Sequence, residues 1–310
     1  MSASTVDLFE AVLEYPDRAA QHRYQSLVGL DDIKERLTKE ARLLLEPASL
    51  EQWSTEHHGG RIAACEAFAD RPPMFLFAGD VGTGKTALAE SFGDAVARAI
   101  DVPVFLYRLS LASRGSGAVG EMTQLLAAAF EEVRKAARPG DGRSDRPRSA
   151  VILLIDEADA LAQSREASQM HHEDRAGVNA LIRGLNSLTE GRLPVIVVLA
   201  TNRDGAIDPA VRRRAAATFV FGRPDEIRRR AALQSLLDGV GLSSAELDAL
   251  VAATGPTRER EFGFTFSDLY HKLVPATVLA AYPSKPITAS LVLEVAGRTE
   301  ATPPFVSDDG

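Results

Sequence analysis

The segment Gly79-Asp80-Val81-Gly82-Thr83-Gly84-Lys85-Thr86 follows the pattern GxxxxGK[ST]. It comes directly after the apolar run Met74–Ala78 and before a helical period at Leu88, Phe92, Val96 and Ile100, the strand–loop–helix context that the pattern requires. The glycines let backbone N–H groups turn inward around a phosphate. Lys85 reaches the β and γ oxygens of a nucleotide, and the Thr86 hydroxyl is a hard oxygen ligand for Mg²⁺. A second apolar run, Val151–Ile155, delivers two adjacent carboxylates, Asp156 and Glu157, at its C-terminal end, the side of an open α/β sheet where ligands bind. Asp156 is placed to hold Mg²⁺ through water, and Glu157 to orient and polarise an attacking water. The expected chemistry is cleavage of ATP with Mg²⁺ as cofactor.

Such groups need a sheet to hold them. Met74–Ala78, Val104–Leu109, Val151–Ile155, Val195–Ala200 and Thr218–Phe221 alternate with helical patterns, notably Leu125–Arg138 and Val178–Leu188. The fold class is therefore α/β: a three-layer domain on a five-stranded, mainly parallel sheet. After Gly222-Arg223-Pro224 only helices are expected, over Asp225–Leu237, Ser244–Ala253, Ser267–Ala281 and Thr288–Val295, with Ser243 and Thr288 as caps. The expected division is an N-terminal arm over 1–23, a large α/β domain over 24–222, a helical lid over 223–300 and a flexible tail over 301–310.

Composition limits the alternatives. The chain has 310 residues, 45% hydrophobic and 25% charged, as in ordinary globular proteins. Its net charge of −8 argues against a main role in holding nucleic acid, which needs a basic face. Cys65 is the only cysteine, so no internal disulfide forms, and no apolar run approaches the ~18 residues of a membrane span. A soluble cytoplasmic protein is expected. The 29 Arg against 6 Lys hint at a bacterial source.

From Leu27 to about Ala281 the chain resembles the AAA+ ATPases, with several motifs in the family's order. Leu27-Val28-Gly29-Leu30-Asp31-Asp32-Ile33-Lys34 is similar to the segment that cradles adenine in that family. The resemblance assigns Val28, Gly29, the loop residues Asp80 to Thr86, and Leu88 to the nucleotide. Asn202 takes the place of the polar sensor near the γ-phosphate. Ile207-Asp208-Pro209-Ala210-Val211-Arg212-Arg213-Arg214 is similar to the segment carrying arginine fingers, so Arg213 and Arg214 are expected to act on a neighbouring subunit's ATP. Ser267 stands where many subfamilies carry a second sensor arginine, which implies coupling of the helical lid to nucleotide through backbone and packing.

Ile207–Pro224 and Gly177-Val178-Asn179-Ala180-Leu181 further resemble the pachytene-checkpoint type, remodellers of HORMA-domain proteins, in its bacterial antiphage-operon branch. That resemblance implies a homohexameric ring engaging the N-terminus of a HORMA-domain protein at its pore, within a complex that includes a nucleotidyltransferase. The first pore loop would contain Ala118, Val119 and Gly120, with Ala118 where an aromatic is expected; either Val119 and Met122 supply the apolar contact, or the machine pulls on a short mobile terminus rather than unfolding stable domains. The second would be Arg165–Arg175. Two other readings stand beside this one: a motor or clamp-loader-like ATPase acting on nucleic acid, disfavoured by the acidic balance and the 6% aromatic content, and an ATP-switched scaffold, disfavoured by Glu157.

Overall fold

The computed structural model describes residues 8–111, 120–138, 146–161, 171–203, 205, 207–258 and 260–305. Ala118 and Val119 lie outside these residues, as do 165–170 of the expected second pore loop; Gly120 lies inside. The chain forms two compact units, one of residues 1–24, 32–78 and 86–220, the other of residues 25–31, 79–85 and 221–310.

The first unit is built on a sheet. In chain order its elements are β1 (Ala11–Tyr15), α1 (Arg18–Ser26), α2 (Asp31–Leu45), α3 (Pro47–His58), α4 (Ala63–Ala69), β2 (Met74–Gly79), α5 (Lys85–Ala89) and α6 (Phe92–Ile100). Then come β3 (Val104–Ser110), α7 (Glu121–Ala136), β4 (Ala150–Asp156), α8 (His171–Glu190), β5 (Val195–Thr201), α9 (Pro209–Arg212) and β6 (Ala217–Phe221). The sheet order is β1-β3-β4-β5-β2-β6. β3, β4, β5 and β2 pair in parallel, and in β4 and β5 every residue before the C-terminal one is buried, the signature of strands covered on both faces. All five expected strands are present. The expectation of five is corrected to six, because Ala11–Tyr15 within the expected arm pairs antiparallel with β3 from Ala11↔Arg108 to Tyr15↔Val104. Tyr15 is fully buried there, and its hydroxyl donates to the Glu90 carbonyl.

Parallel pairing brings the carboxyl ends of the strands to one edge. The register sets Ser110 beside Asp156 and Ala78 beside Thr201. Below this edge, Leu76, Leu109, Leu126, Phe130, Leu153, Leu181 and Val197 share one core. No helix among the described residues is long and apolar enough to cross a membrane.

The second unit adds α10 (Glu226–Leu236), α11 (Ser244–Ala253), a π-type turn over Asp268–Leu273, α12 (Val274–Ala281) and α13 (Ala289–Arg298). Their shared core contains Leu233, Leu250, Phe264, Leu269 and Val292. The sequence sets the helix starts: Asp225 accepts from Arg228 N–H, Ser243 and Glu246 form a reciprocal capping box, and Thr288 accepts from Leu291 N–H. Ser267–Ala281 does not form one regular helix. Pro275 has no N–H to offer and its ring crowds the carbonyl four residues earlier, so the preceding turn widens.

Asp268, fully buried, anchors this unit. It accepts from Thr265 N–H and Oγ1, both at 2.9 Å, from Thr302 N–H at 3.1 Å and Oγ1 at 2.7 Å, and pairs with Lys272 Nζ at 2.7 Å. Thr302, in the stretch expected to be a free tail, is thus held against the core. Burial alone would push the Asp268 carboxyl up, but Lys272, Thr302 and Thr265 outweigh it and hold the group at about 2. This value lies below the ordinary 3.8, so the stabilisation is present above pH 4 and is lost as pH falls toward 2. Unfolding midpoints measured across a pH series should show Asp268→Asn weaker by about 2 kcal/mol at neutral pH, the gap closing under acid.

Candidate active site

The phosphate loop takes its shape from its glycines and from what surrounds them. Gly79 ends β2 with φ of 153°, where an added Cβ would lie 2.0 Å from the Phe221 carbonyl oxygen, so no other residue fits. Gly82 has φ of 72°, and a Cβ there would come 2.7 Å from Thr265 Oγ1 and 2.8 Å from Ser267 Cβ. Gly84 completes the turn, and Lys85 opens α5. Thr83 is buried and its hydroxyl donates to the Asp80 carbonyl at 2.7 Å. Lys85 Nζ lies along the loop, donating to the Gly79 carbonyl at 2.9 Å and the Asp80 carbonyl at 2.7 Å. Backbone donors in a left-handed turn, a lysine and a helix start together can receive a phosphate chain.

Asp80 closes the loop on its own unit. Oδ1 accepts from Val81 N–H at 2.8 Å and Phe305 N–H at 3.1 Å, and Oδ2 from Arg223 Nε at 2.7 Å. Ser267 N–H donates to the Gly82 carbonyl at 3.0 Å, a backbone tie at the position where no sensor arginine stands. Val28 and Gly29 form a turn after α1, with Gly29 at φ of 76° and open only as far as the Arg228 side chain. Val81 is exposed. Leu88, on α5 directly after the loop, is completely buried.

In the sheet unit, the Thr86 hydroxyl donates to Asp156 Oδ2 at 3.2 Å, and Asp156 Oδ1 accepts from Glu157 N–H at 3.0 Å. A threonine hydroxyl beside a carboxylate is an all-oxygen donor set, the kind that suits Mg²⁺. Burial pushes the Asp156 carboxyl above the ordinary carboxylate range. The Glu157 N–H, the Arg108 guanidinium and the Thr86 hydroxyl oppose that rise, and the Glu157 carboxylate adds to it. Asp156 is therefore a carboxylate that gains from a further cation. Glu157 turns sharply out of β4 with φ of 55°, unusual for a residue with a side chain, and is exposed. Its Oε2 accepts from the Ser110 hydroxyl at 2.8 Å, which fixes where the carboxylate points.

Thr201, buried at the end of β5, accepts from Arg203 N–H at 3.0 Å and lies 3.3 Å from Asp159 Oδ1, so the turn carrying the half-buried Asn202 is pinned. Downstream, Asp208 caps the short α9 by accepting from Ala210 N–H at 2.7 Å, and Val211 is buried beneath it. Arg213 is exposed, whereas Arg214 is half-buried and donates to the Ala210 carbonyl at 3.0 Å. Among the described residues neither arginine pairs with Asp156 or Glu157. Gly120, the one described residue of the expected first pore loop, sits at φ of 82° as the N-cap of α7, and Met122 packs partly against the core.

Residues 75–223 match the profile of the ATPase family associated with various cellular activities (AAA). Over 300 residues the chain is 49% identical to CD-NTase-associated protein 6 of Escherichia coli strain MS 115-1, covering 97% of this chain and 96% of that one. The chain belongs to the CD-NTase-associated protein 6 family of AAA ATPases. Among solved structures it is similar, at 48% identity and a TM-score of 0.88, to a chain in the structure of the E. coli MS115-1 HORMA:CdnC:Trip13 complex, with 99% of this chain and 100% of that chain covered. It is also similar to a chain in the structure of Rhizobiales Trip13, at 42% identity and a TM-score of 0.74, covering 96% of this chain and 100% of that one.

Two site residues of this family member are missing from the sequence expectations. Ser110 is one. Arg108, two residues earlier on β3, is the other: its guanidinium bonds Glu90, lies 3.3 Å from Glu10 Oε2 through Nε and 3.5 Å from Asp156 Oδ2 through Nη2. One cation thus holds three carboxylates: Glu10 just before β1, Glu90 just after the phosphate-loop helix, and Asp156 at the end of β4. The strand alternation of β3 was the available signal, since an arginine within an apolar run needs acids across the sheet. Arg108→Gln should lower the unfolding free energy by about 1–3 kcal/mol in denaturant titrations, less than for a fully buried pair because the side chain keeps some water.

Proposed function

We propose that this chain is the ATP-driven engine of a homohexameric ring that remodels a HORMA-domain protein by engaging its N-terminus at the central pore.

 Support comes from one observation above the others: end-to-end likeness, at 48% identity, to a chain solved in complex with HORMA and CdnC. The same likeness supports a nucleotidyltransferase as a further member of the complex, and antiphage signalling as the setting.

Backbone N–H groups of the glycine-rich loop and the Lys85 ammonium bind the triphosphate of ATP, with Val28 and Gly29 on the base side. Thr86 and Asp156 would hold Mg²⁺, which when bound offsets the charge of the phosphate oxygens. Glu157, held by Ser110, orients a water and takes its proton, while Asn202 positions that water. Arg213 reaches out to the neighbouring subunit's γ-phosphate, and its exposure favours it over Arg214, which is half-buried and spends Nη1 on the Ala210 carbonyl. The pore loop around Ala118, Val119 and Gly120 grips the partner. The direct test is capture from the native bacterium with tagged Glu157→Gln protein and ATP, read by mass spectrometry. A HORMA-domain protein enriched over the Lys85→Ala control supports the reading, and recovery of DNA or a sliding clamp instead would sink it.

A further inference from the structure

Resting on the ATPase reading above, we propose that Arg223 is a positioning residue for ATP binding, acting through Asp80 to hold the phosphate loop in its receptive shape and to tie that loop to the helical unit. Arg223 lies in the Gly222-Arg223-Pro224 segment after β6, 143 positions from Asp80 in the chain. Its Nε donates to Asp80 Oδ2 at 2.7 Å, and the two side chains are only 16% and 18% exposed. Little water competes for this charge-assisted bond. Nη1 of the same guanidinium donates to the Gly263 carbonyl at 2.9 Å, and the group lies 4.9 Å from the centre of the Phe262 ring. One side chain therefore grips the second residue of the loop and the segment that leads into Ser267.

Three further features make this more than a surface ion pair. Ser267 N–H donates to the Gly82 carbonyl, so the segment held by Arg223 meets the loop at a second point. Gly82 has no room for a side chain because Thr265 and Ser267 stand against it, so loop and segment are closely packed there. Asp80 Oδ1 is also filled, by Val81 N–H and Phe305 N–H, leaving its carboxylate bonded on both oxygens. Arg223 Nη2 is buried with no hydrogen-bond partner among the described residues, which gives the guanidinium one more donor to place when an anion enters beside the loop. With serine at position 267, Arg223 is the arginine of the helical unit that is bonded to the loop.

The test is a double-mutant cycle on the full chain, using Arg223→Ala, Asp80→Ala and the pair, with Arg223→Lys and Asp80→Asn as conservative versions in case the alanine variants fold poorly. Steady-state hydrolysis gives KM and kcat, and a fluorescent ATP analogue gives affinity. The expected result is KM for ATP raised about tenfold in either single variant with kcat changed less, no further loss in the double variant, and partial recovery in Arg223→Lys. A purely structural role would lower the thermal midpoint and the active fraction while leaving KM where it was. KM within twofold of the parent, or losses that add in the double variant, would overturn the proposal. Lys85→Ala separates the two readings. If it abolishes nucleotide binding while the Arg223 variants behave as the parent, only the proposal fails; if it binds ATP as the parent does, the ATPase assignment of the loop fails and the proposal with it.

Discussion

Glu157→Gln should bind ATP as tightly as the parent and hydrolyse it ~10²–10⁴-fold more slowly, the range that a lost general base costs. Glutamine keeps the size of the side chain and can still accept from the Ser110 hydroxyl, so the turn at φ of 55° and the neighbouring Asp156 are left in place. What it lacks is the ability to take a proton. The effect should therefore fall on kcat, with nucleotide affinity unchanged. Ser110→Ala probes the same point from the other side: it leaves the base but frees its orientation, and about a tenfold loss is expected, as for a modest error in the placing of a reacting group. Phosphate release and equilibrium nucleotide binding measure both. Turnover by Glu157→Gln within threefold of the parent would remove the residue from this role.

Arg213→Ala should lower hydrolysis by ~10³–10⁵-fold, the range for arginines that complete a nucleotide site in trans. Such a group must be exposed and unclaimed in its own subunit. Arg213 meets that condition among the described residues, while Arg214 is half-buried and spends Nη1 on the Ala210 carbonyl. Arg214→Ala should therefore cost less and act partly through the shape of α9. Mixing inactive Arg213→Ala and Glu157→Gln subunits should restore part of the activity, because some shared rings then pair an intact arginine with an intact base. Phosphate release from mixtures at varied ratios measures this. An absence of rescue, or a larger loss from Arg214→Ala, would count against the assignment.

What could be read from the sequence depended on how local its cause was. The phosphate loop, and Asp156-Glu157 at the end of an apolar run, are set by neighbours within a few residues, and both lie where their patterns put them. β2, β4 and β5 were readable because strands buried on both faces leave unbroken apolar runs. β1 was not, because an edge strand of five residues with two exposed positions carries little pattern, and its partner lies almost a hundred positions away. α3 and α4 escaped for a similar reason, although Pro47 at the start of one and Gly59 at its left-handed end were signals of the right kind.

The groups missed in the site are those that act across strands. Ser110 and Arg108 become relevant only when the β3–β4 register sets them beside Asp156, and the Asp80–Arg223 pair exists only once the chain has returned to the loop. The sequence does carry the opposite lesson at Ser267. The lack of an arginine there implied coupling through backbone, and its N–H bonds the Gly82 carbonyl.

ATP turnover by this chain is expected to change the state of a HORMA-domain protein. The most direct measurement incubates purified chain with the HORMA-domain protein bound to its nucleotidyltransferase partner and follows the complex by size-exclusion chromatography. With ATP and Mg²⁺, the parent chain should release the HORMA-domain protein from that complex. Glu157→Gln should bind the complex and leave it intact. Loss of the complex at the same rate with either protein, or no change with the parent while ATP is being hydrolysed, would contradict it.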